Sequence, residues 1–182
     1  MTKVNHLEAW LAQEQALSAV MNAGAGPGVA SADQAASMTG LQFMQAMARG
    51  EVPYPFMAKT LDFGLVEVGL GHAVFQGTPG MAHLNPMGTN HGGWFATLLD
   101  SALGCAVHTR MAVGQGYTTA ELSVNIVRAL TPKITRVRAE GKVIHCGRQL
   151  ATAEARLVGP DGTLYAHATT TCLVFQHAPL AT

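Results

Sequence analysis

Apolar positions change their period twice along this chain. Between residues 5 and 21, Leu7, Trp10, Leu11, Leu17 and Val20 recur at helical spacing. Residues 22–37 are rich in Gly, Ala and Ser and read as a flexible linker. A second helix is predicted over Thr39–Arg49, with Leu41, Met44, Met47 and Ala48 along one side, closed by Gly50 and the prolines Pro53 and Pro55. From Lys59 the pattern becomes strand-like. Phe63–Leu70 and His72–Gly77 read as two strands joined at Gly71. A loop over residues 78–90, with Pro79, Gly80, Pro86 and Gly88, leads into a helix predicted over Gly92–Arg110. That helix is apolar on most sides, so it must be covered on most sides. Four strand-like runs follow: Tyr117–Leu130, Ile134–His145, Gln149–Val158 and Thr163–Phe175, the last two joined by the turn Gly159-Pro160-Asp161-Gly162.

Two strands, one enclosed helix and a strand meander make an α+β domain, an antiparallel sheet wrapped around a single long helix. The expected division is an N-terminal helical extension with its linker over 1–58 and the sheet domain over 59–176. A sheet with one helix has edges that need partners, and pairing with a second copy covers them. Composition points the same way. Only 12% of the 182 residues are charged, against 48% hydrophobic. About a quarter charged is usual, so the shortfall is read as surface given to an oligomer interface.

The formal net charge is zero, so nothing in the balance marks a nucleic-acid or anionic-membrane partner. No segment has the ~20 consecutive apolar residues of a membrane span. Cys105, Cys146 and Cys172 cannot all pair within one chain and lack metal spacing, which fits a reducing, cytoplasmic setting. The eight histidines include no HExxH and no Cys/His cluster, so no metal is expected. No GxSxG elbow or phosphate loop is present, and the glycines of Gly24–Gly28 have the wrong spacing for a dinucleotide turn.

The chemistry concentrates between Asn85 and Asp100. Asp100 is the only fully charged side chain between His91 and Thr109. A carboxylate on a covered helix is costly unless paired. It is either a structural acid bonded to neighbours such as Thr97 or Ser101, or a tuned functional group. His91-Gly92-Gly93 is either a helix start capped by Asn90 or Thr89, or a turn whose free N–H groups favour developing negative charge. Asn85 is either a turn residue or an amide that orients a water or donates to a carbonyl. His145-Cys146-Gly147-Arg148 joins two strands. Its Arg148 is either solvated or a phosphate contact, with Arg128, Arg138 and Lys142 as further cations for the same groove. Trp94, Phe95, Met81 and Met87 are either core or the lining of an apolar pocket.

Asn85…His91-Gly92-Gly93…Asp100, with Thr118–Arg128 and His145–Arg148, resembles the hotdog-fold acyl-CoA thioesterases, and most closely their phenylacetate-degradation, PaaI-like type. The resemblance covers about residues 60–175. It rests on an amide residue six positions before the His of HGG and a carboxylate nine positions after it. It implies a helix wrapped by an antiparallel sheet, with protomers paired edge to edge as dimers or tetramers. Asp100 then matches the catalytic carboxylate. His91 and Asn85 match residues that orient the thioester or the water, and the Gly92 N–H matches the donor to the thioester carbonyl. Thr118 or Thr119 falls near the assisting hydroxyl, and Gly93, Arg128, His145, Gly147 and Arg148 near the CoA channel. CoA enters as part of the substrate, with no separate cofactor. Two other readings share the fold: an acyl-CoA hydratase or dehydratase, and a non-catalytic acyl-CoA-binding protein. Hydration of crotonyl-CoA, or tight binding without turnover, would mark them.

Overall fold

The computed structural model describes residues 5–131 and 133–176. Six strands form one antiparallel sheet: β1 (Phe63–Gly69), β2 (His72–Gly77), β3 (Gln115–Ile126), β4 (Val137–Cys146), β5 (Leu150–Val158) and β6 (Leu164–Gln176). Their spatial order is β1-β2-β4-β5-β6-β3. The chain therefore builds one edge with β1 and β2, places the helix α5 (Gly92–His108) across the sheet, and then lays β3 on the opposite edge.

Alternation decides which side chains meet the helix. Ala73 and Phe75 of β2, Val137 and Ala139 of β4, and Ala151, Ala153 and Leu157 of β5 are buried with Leu98, Leu99, Ala102 and Leu103 of α5. The strands supply many small residues and the helix the larger ones, so the helix lies close to the sheet. Gly141 sets the closest approach, because a Cβ there would collide with the Ala102 carbonyl. At the hairpin tip Gly162 has φ +78°, and Asp161 Oδ1 accepts from the Thr163 N–H at 3.0 Å, so this turn forms as its sequence predicts.

The N-terminal region is more ordered than its composition suggests. It comprises α1 (Leu7–Ala23), α2 (Ala32–Ser37), α3 (Gly40–Ala48) and α4 (Phe56–Thr60). The expected linker contains α2, closed by a reciprocal Ser31/Gln34 capping box, and α3 begins with the same device at Thr39/Gln42. Helix α4, not anticipated from the Pro-rich composition around it, crosses the expected boundary at residue 58.

Helix α1 docks on the outer face of the sheet through Arg138. That side chain is 7% exposed. It donates to Gln76 Oε1 at 2.7 Å and to Gln13 Oε1 at 2.9 Å, with its guanidinium 4.5 Å from the Trp10 ring centroid. A buried cation that is hydrogen-bonded and stacked satisfies its desolvation cost locally. Arg138 is therefore a docking residue for α1 and does not belong to an anion-binding groove.

Candidate active site

Helix α5 starts because His91 caps it. The His91 Nδ1 accepts from the Gly93 N–H at 2.9 Å, and the Trp94 N–H bonds back to the His91 carbonyl at 3.0 Å. Neither Asn90 nor Thr89 is the cap. With Nδ1 accepting, the ring of the exposed His91 carries its proton on Nε2, which is left as a donor. The Gly93 N–H is used by the cap, so Gly93 offers no donor to a ligand. The Gly92 N–H has no protein acceptor among the described residues. One residue before His91, Asn90 is 5% exposed, and its side-chain amide has no hydrogen-bond partner among the described residues.

Asn85 holds its own loop together. Its Oδ1 accepts from the Met87 N–H at 2.9 Å and the Thr89 N–H at 3.3 Å, and its Nδ2 donates to the Thr89 hydroxyl at 2.9 Å. In this structure its amide positions the turn before His91.

Asp100 lies on the β3 side of α5, half-buried. The Thr119 hydroxyl donates to its Oδ1 at 3.2 Å. The neighbouring hydroxyl is thus that of Thr119 and not of Thr118. The pleat alternates, so Tyr117 and Thr119 face the helix and Thr118 does not. A bulge between Thr119 and Glu121 then shifts the phase, and Leu122 and Val124 take the inward side further along. Burial raises the Asp100 carboxyl above its usual range, and the Thr119 hydrogen bond pulls it part of the way back. Thr97 and Ser101, the local partners considered from sequence, bond instead to the Gly93 and Thr97 carbonyls.

The sequence did not single out Tyr117, which lies against the same helix face. A Cβ on Gly104 would come 2.8 Å from its hydroxyl. A glycine in mid-helix, as Gly104 is, was the available signal of close approach. Trp94 and Phe95 are core residues, Trp94 donating from Nε1 to the Leu61 carbonyl at 2.8 Å. Met81 and Met87 are exposed on the loop.

The basic residues divide. The Gln149 carbonyl bonds to the Val174 N–H, which places the β4–β5 turn with Arg148 at the end of the sheet where β3 begins, with β6 between it and Tyr117. The Arg128 N–H bonds to the Tyr165 carbonyl, at the opposite end. Eight residues of β6 separate Ala166 from Val174, about 27 Å of strand. Within one protomer Arg128 and Arg148 therefore do not share a groove. Gly147 lies against the His145 ring, where a Cβ would sit 2.9 Å from Nε2. Among the described residues, no group of three or more His, Cys, Asp or Glu side chains could hold a metal ion.

An antiparallel sheet curled around one long helix is the hotdog fold. Residues 87–166 match the thioesterase superfamily. A variant of the phenylacetic acid degradation protein PaaI from Thermus thermophilus is 28% identical, covering 64% of this chain and 96% of its own, at TM-score 0.58. A phenylacetic acid degradation-related protein from Ralstonia eutropha is 28% identical, covering 71% and 97%, at TM-score 0.65. A hypothetical thioesterase from Streptococcus pneumoniae, solved with coenzyme A, is 25% identical, covering 68% and 95%, at TM-score 0.59. A comparison with curated proteins finds no match. The chain has the hotdog fold, carries a segment that matches the thioesterase superfamily, and is similar to thioesterases of the PaaI-like type.

Proposed function

We propose that this protein hydrolyses acyl-CoA thioesters at a site shared between two copies of the chain. The observation that carries the reading is a pair of features on one helix: the half-buried Asp100 carboxylate held by Thr119, and the free Gly92 N–H at the helix start. The thioester carbonyl gains negative charge as it is attacked. A preorganised N–H at a helix N-terminus stabilises that charge, and a single such donor is worth about 10²–10³ in rate. Asp100, ionised, acts either as general base on water or as nucleophile at the carbonyl carbon. His91, whose Nδ1 is taken by the Gly93 N–H, adds a donor through Nε2. Arg148 suits a phosphate of the CoA moiety, and the coenzyme A complex of the Streptococcus pneumoniae relative supports that substrate class.

Helix geometry calls for the second copy. Gly92 and Asp100 are eight residues apart, about 12 Å along the axis. Two groups acting on one carbonyl must each lie about 3 Å from the reacting atoms. One chain cannot bring them together. Strand β3 is a sheet edge, and Thr118, Thr119, Ala120, Glu121, Ser123, Asn125 and Ile126 are exposed along it. Pairing β3 antiparallel with its copy reverses direction across a two-fold axis. It sets the Gly92 end of one helix toward Asp100 of the other.

The test mixes two inactive variants, Asp100→Asn and His91→Ala, under conditions that exchange subunits, and measures thiol release from acyl-CoA. A mixed dimer holds one intact site, so full exchange should restore about a quarter of wild-type activity. A mixture that stays as inactive as its parents, with exchange verified by mass, refutes the shared site.

A further inference from the structure

The N-terminal extension does more than cover the sheet. Its segment 24–30 is clamped against the chain near Tyr54: the Gly28 N–H bonds to the Tyr54 carbonyl at 2.9 Å, and the Tyr54 N–H to the Gly26 carbonyl at 3.1 Å. Helix α3 is anchored by Met44, 1% exposed, and by the Gly40 N–H on the Met111 carbonyl at 2.9 Å. Between this fixed wall and the last two turns of α5 lies an open cleft of about 400 Å³. Val29, Ala30 and Phe43 line it from the extension, and Cys105, His108 and Tyr117 from the domain. Phe43, His108 and Tyr117 form an aromatic run, with ring centroids 5.6 Å and 5.7 Å apart. Among the described residues, no Lys, Arg, Asp or Glu lines the cleft.

The cleft lies one helical turn from the proposed site. Tyr117 lies against Gly104, one helical turn from Asp100, and Thr119 on the same face of β3 holds the carboxylate. Burial, with the nearby Asp100 charge added, pushes the Cys105 thiol up to about 12, so this wall presents a neutral thiol and no charge. An uncharged, aromatic-lined cleft one turn from the attacking group suits the apolar part of a substrate and not its phosphates.

We infer that the N-terminal extension forms one wall of the acyl-group pocket, and that the cleft between Val29, Ala30, Phe43 and Tyr117 receives a bulky apolar acyl chain. This rests on the thioesterase reading above. The three extension residues lie outside the matched segment 87–166, and the related structures, which cover 64–71% of this chain, leave about a third of it without a counterpart. Acyl selectivity is therefore a property of the added segment in this protein.

The test compares kcat/KM for acetyl-CoA, hexanoyl-CoA and phenylacetyl-CoA in the wild-type full chain and three variants. Ala30→Phe fills the cleft and Phe43→Ala enlarges it. Val29→Trp narrows its mouth at a position 87% exposed, where folding does not depend on the side chain. A single methylene in an apolar pocket changes selectivity by roughly 10-fold or more. The ratio of kcat/KM for the bulky substrates over acetyl-CoA should fall about tenfold or more in Ala30→Phe, fall in Val29→Trp, and shift toward phenylacetyl-CoA over hexanoyl-CoA in Phe43→Ala. Equal changes for all three substrates would mean that the cleft holds the shared pantetheine arm or is structural, and would overturn the inference alone. A folded wild-type protein inert toward every CoA thioester would instead overturn the thioesterase reading, and the pocket with it.

Discussion

Replacing Asp100 by Asn separates function from stability with opposite expected signs. Asn keeps the shape, and its Oδ1 can still accept from the Thr119 hydroxyl, 3.2 Å from the carboxylate oxygen it replaces. It removes the negative charge and the proton acceptor. Loss of general-base assistance costs about 10²–10⁴ in kcat, or about 3–5 kcal/mol of transition-state stabilisation at about 1.36 kcal/mol per tenfold, and loss of a nucleophile costs more. Stability should move the other way. Burial raises the carboxyl pKa in the folded chain, so the native state holds this proton more tightly than the unfolded chain does. Between the unfolded and folded pKa values the native state binds more protons, and stability falls as pH rises through that window. At neutral pH the ionised group is a cost that Asn lacks, so the variant's melting temperature should equal or exceed that of the wild type. The assay is thiol release against pH beside thermal melting of both proteins. Wild-type turnover should fall as pH drops through the raised pKa, and the residual rate of the variant should show no such limb. A variant with near wild-type turnover would refute the role of Asp100. A variant that melts well below the wild type would make Asp100 a structural acid and refute the reasoning from its burial.

Other substitutions probe the surroundings of the same groups. Thr119→Val removes the hydrogen bond that holds the Asp100 carboxyl down, so the acid limb of the pH–rate profile should move to higher pH; an unmoved limb would show that Thr119 does not tune it. His91→Asn keeps a strong N-cap but removes the Nε2 donor, so activity should drop with little change in melting. His91→Ala should lose activity and in addition about 1 kcal/mol of stability, read by denaturant unfolding. Arg148→Ala should raise KM for acyl-CoA about tenfold or more with little effect on kcat, and leave a short pantetheine thioester nearly unaffected; equal damage to both would make Arg148 structural.

The elements of the sheet domain were legible because their signals are local. An enclosed helix must be apolar on most sides, strands alternate, and Gly159–Gly162 has the composition of a turn, so β1 to β6 and α5 fall within a few residues of their expected places. Asp100 stood out for an equally local reason: it is a single charge in an apolar helix. What sequence missed depends on contacts between distant segments or on devices hidden by composition. The capping box of α2 lay in a Gly/Ala/Ser stretch that resembles a linker. Arg138 looked like a cation for an anion until α1 was seen to lie on it. Thr118 and Thr119 differ by one residue, and only the pleat and the bulge at Ala120 decide which hydroxyl meets Asp100. Arg128 and Arg148 looked like members of one groove, yet antiparallel connectivity sends them to opposite ends of the sheet. The sequence alone thus determined the fold class and the chemical groups, because period and residue type are properties of short windows. Only the tertiary structure decided which groups face each other, because that depends on strand order, register and the rise of about 1.5 Å per residue that keeps Gly92 and Asp100 apart on their helix.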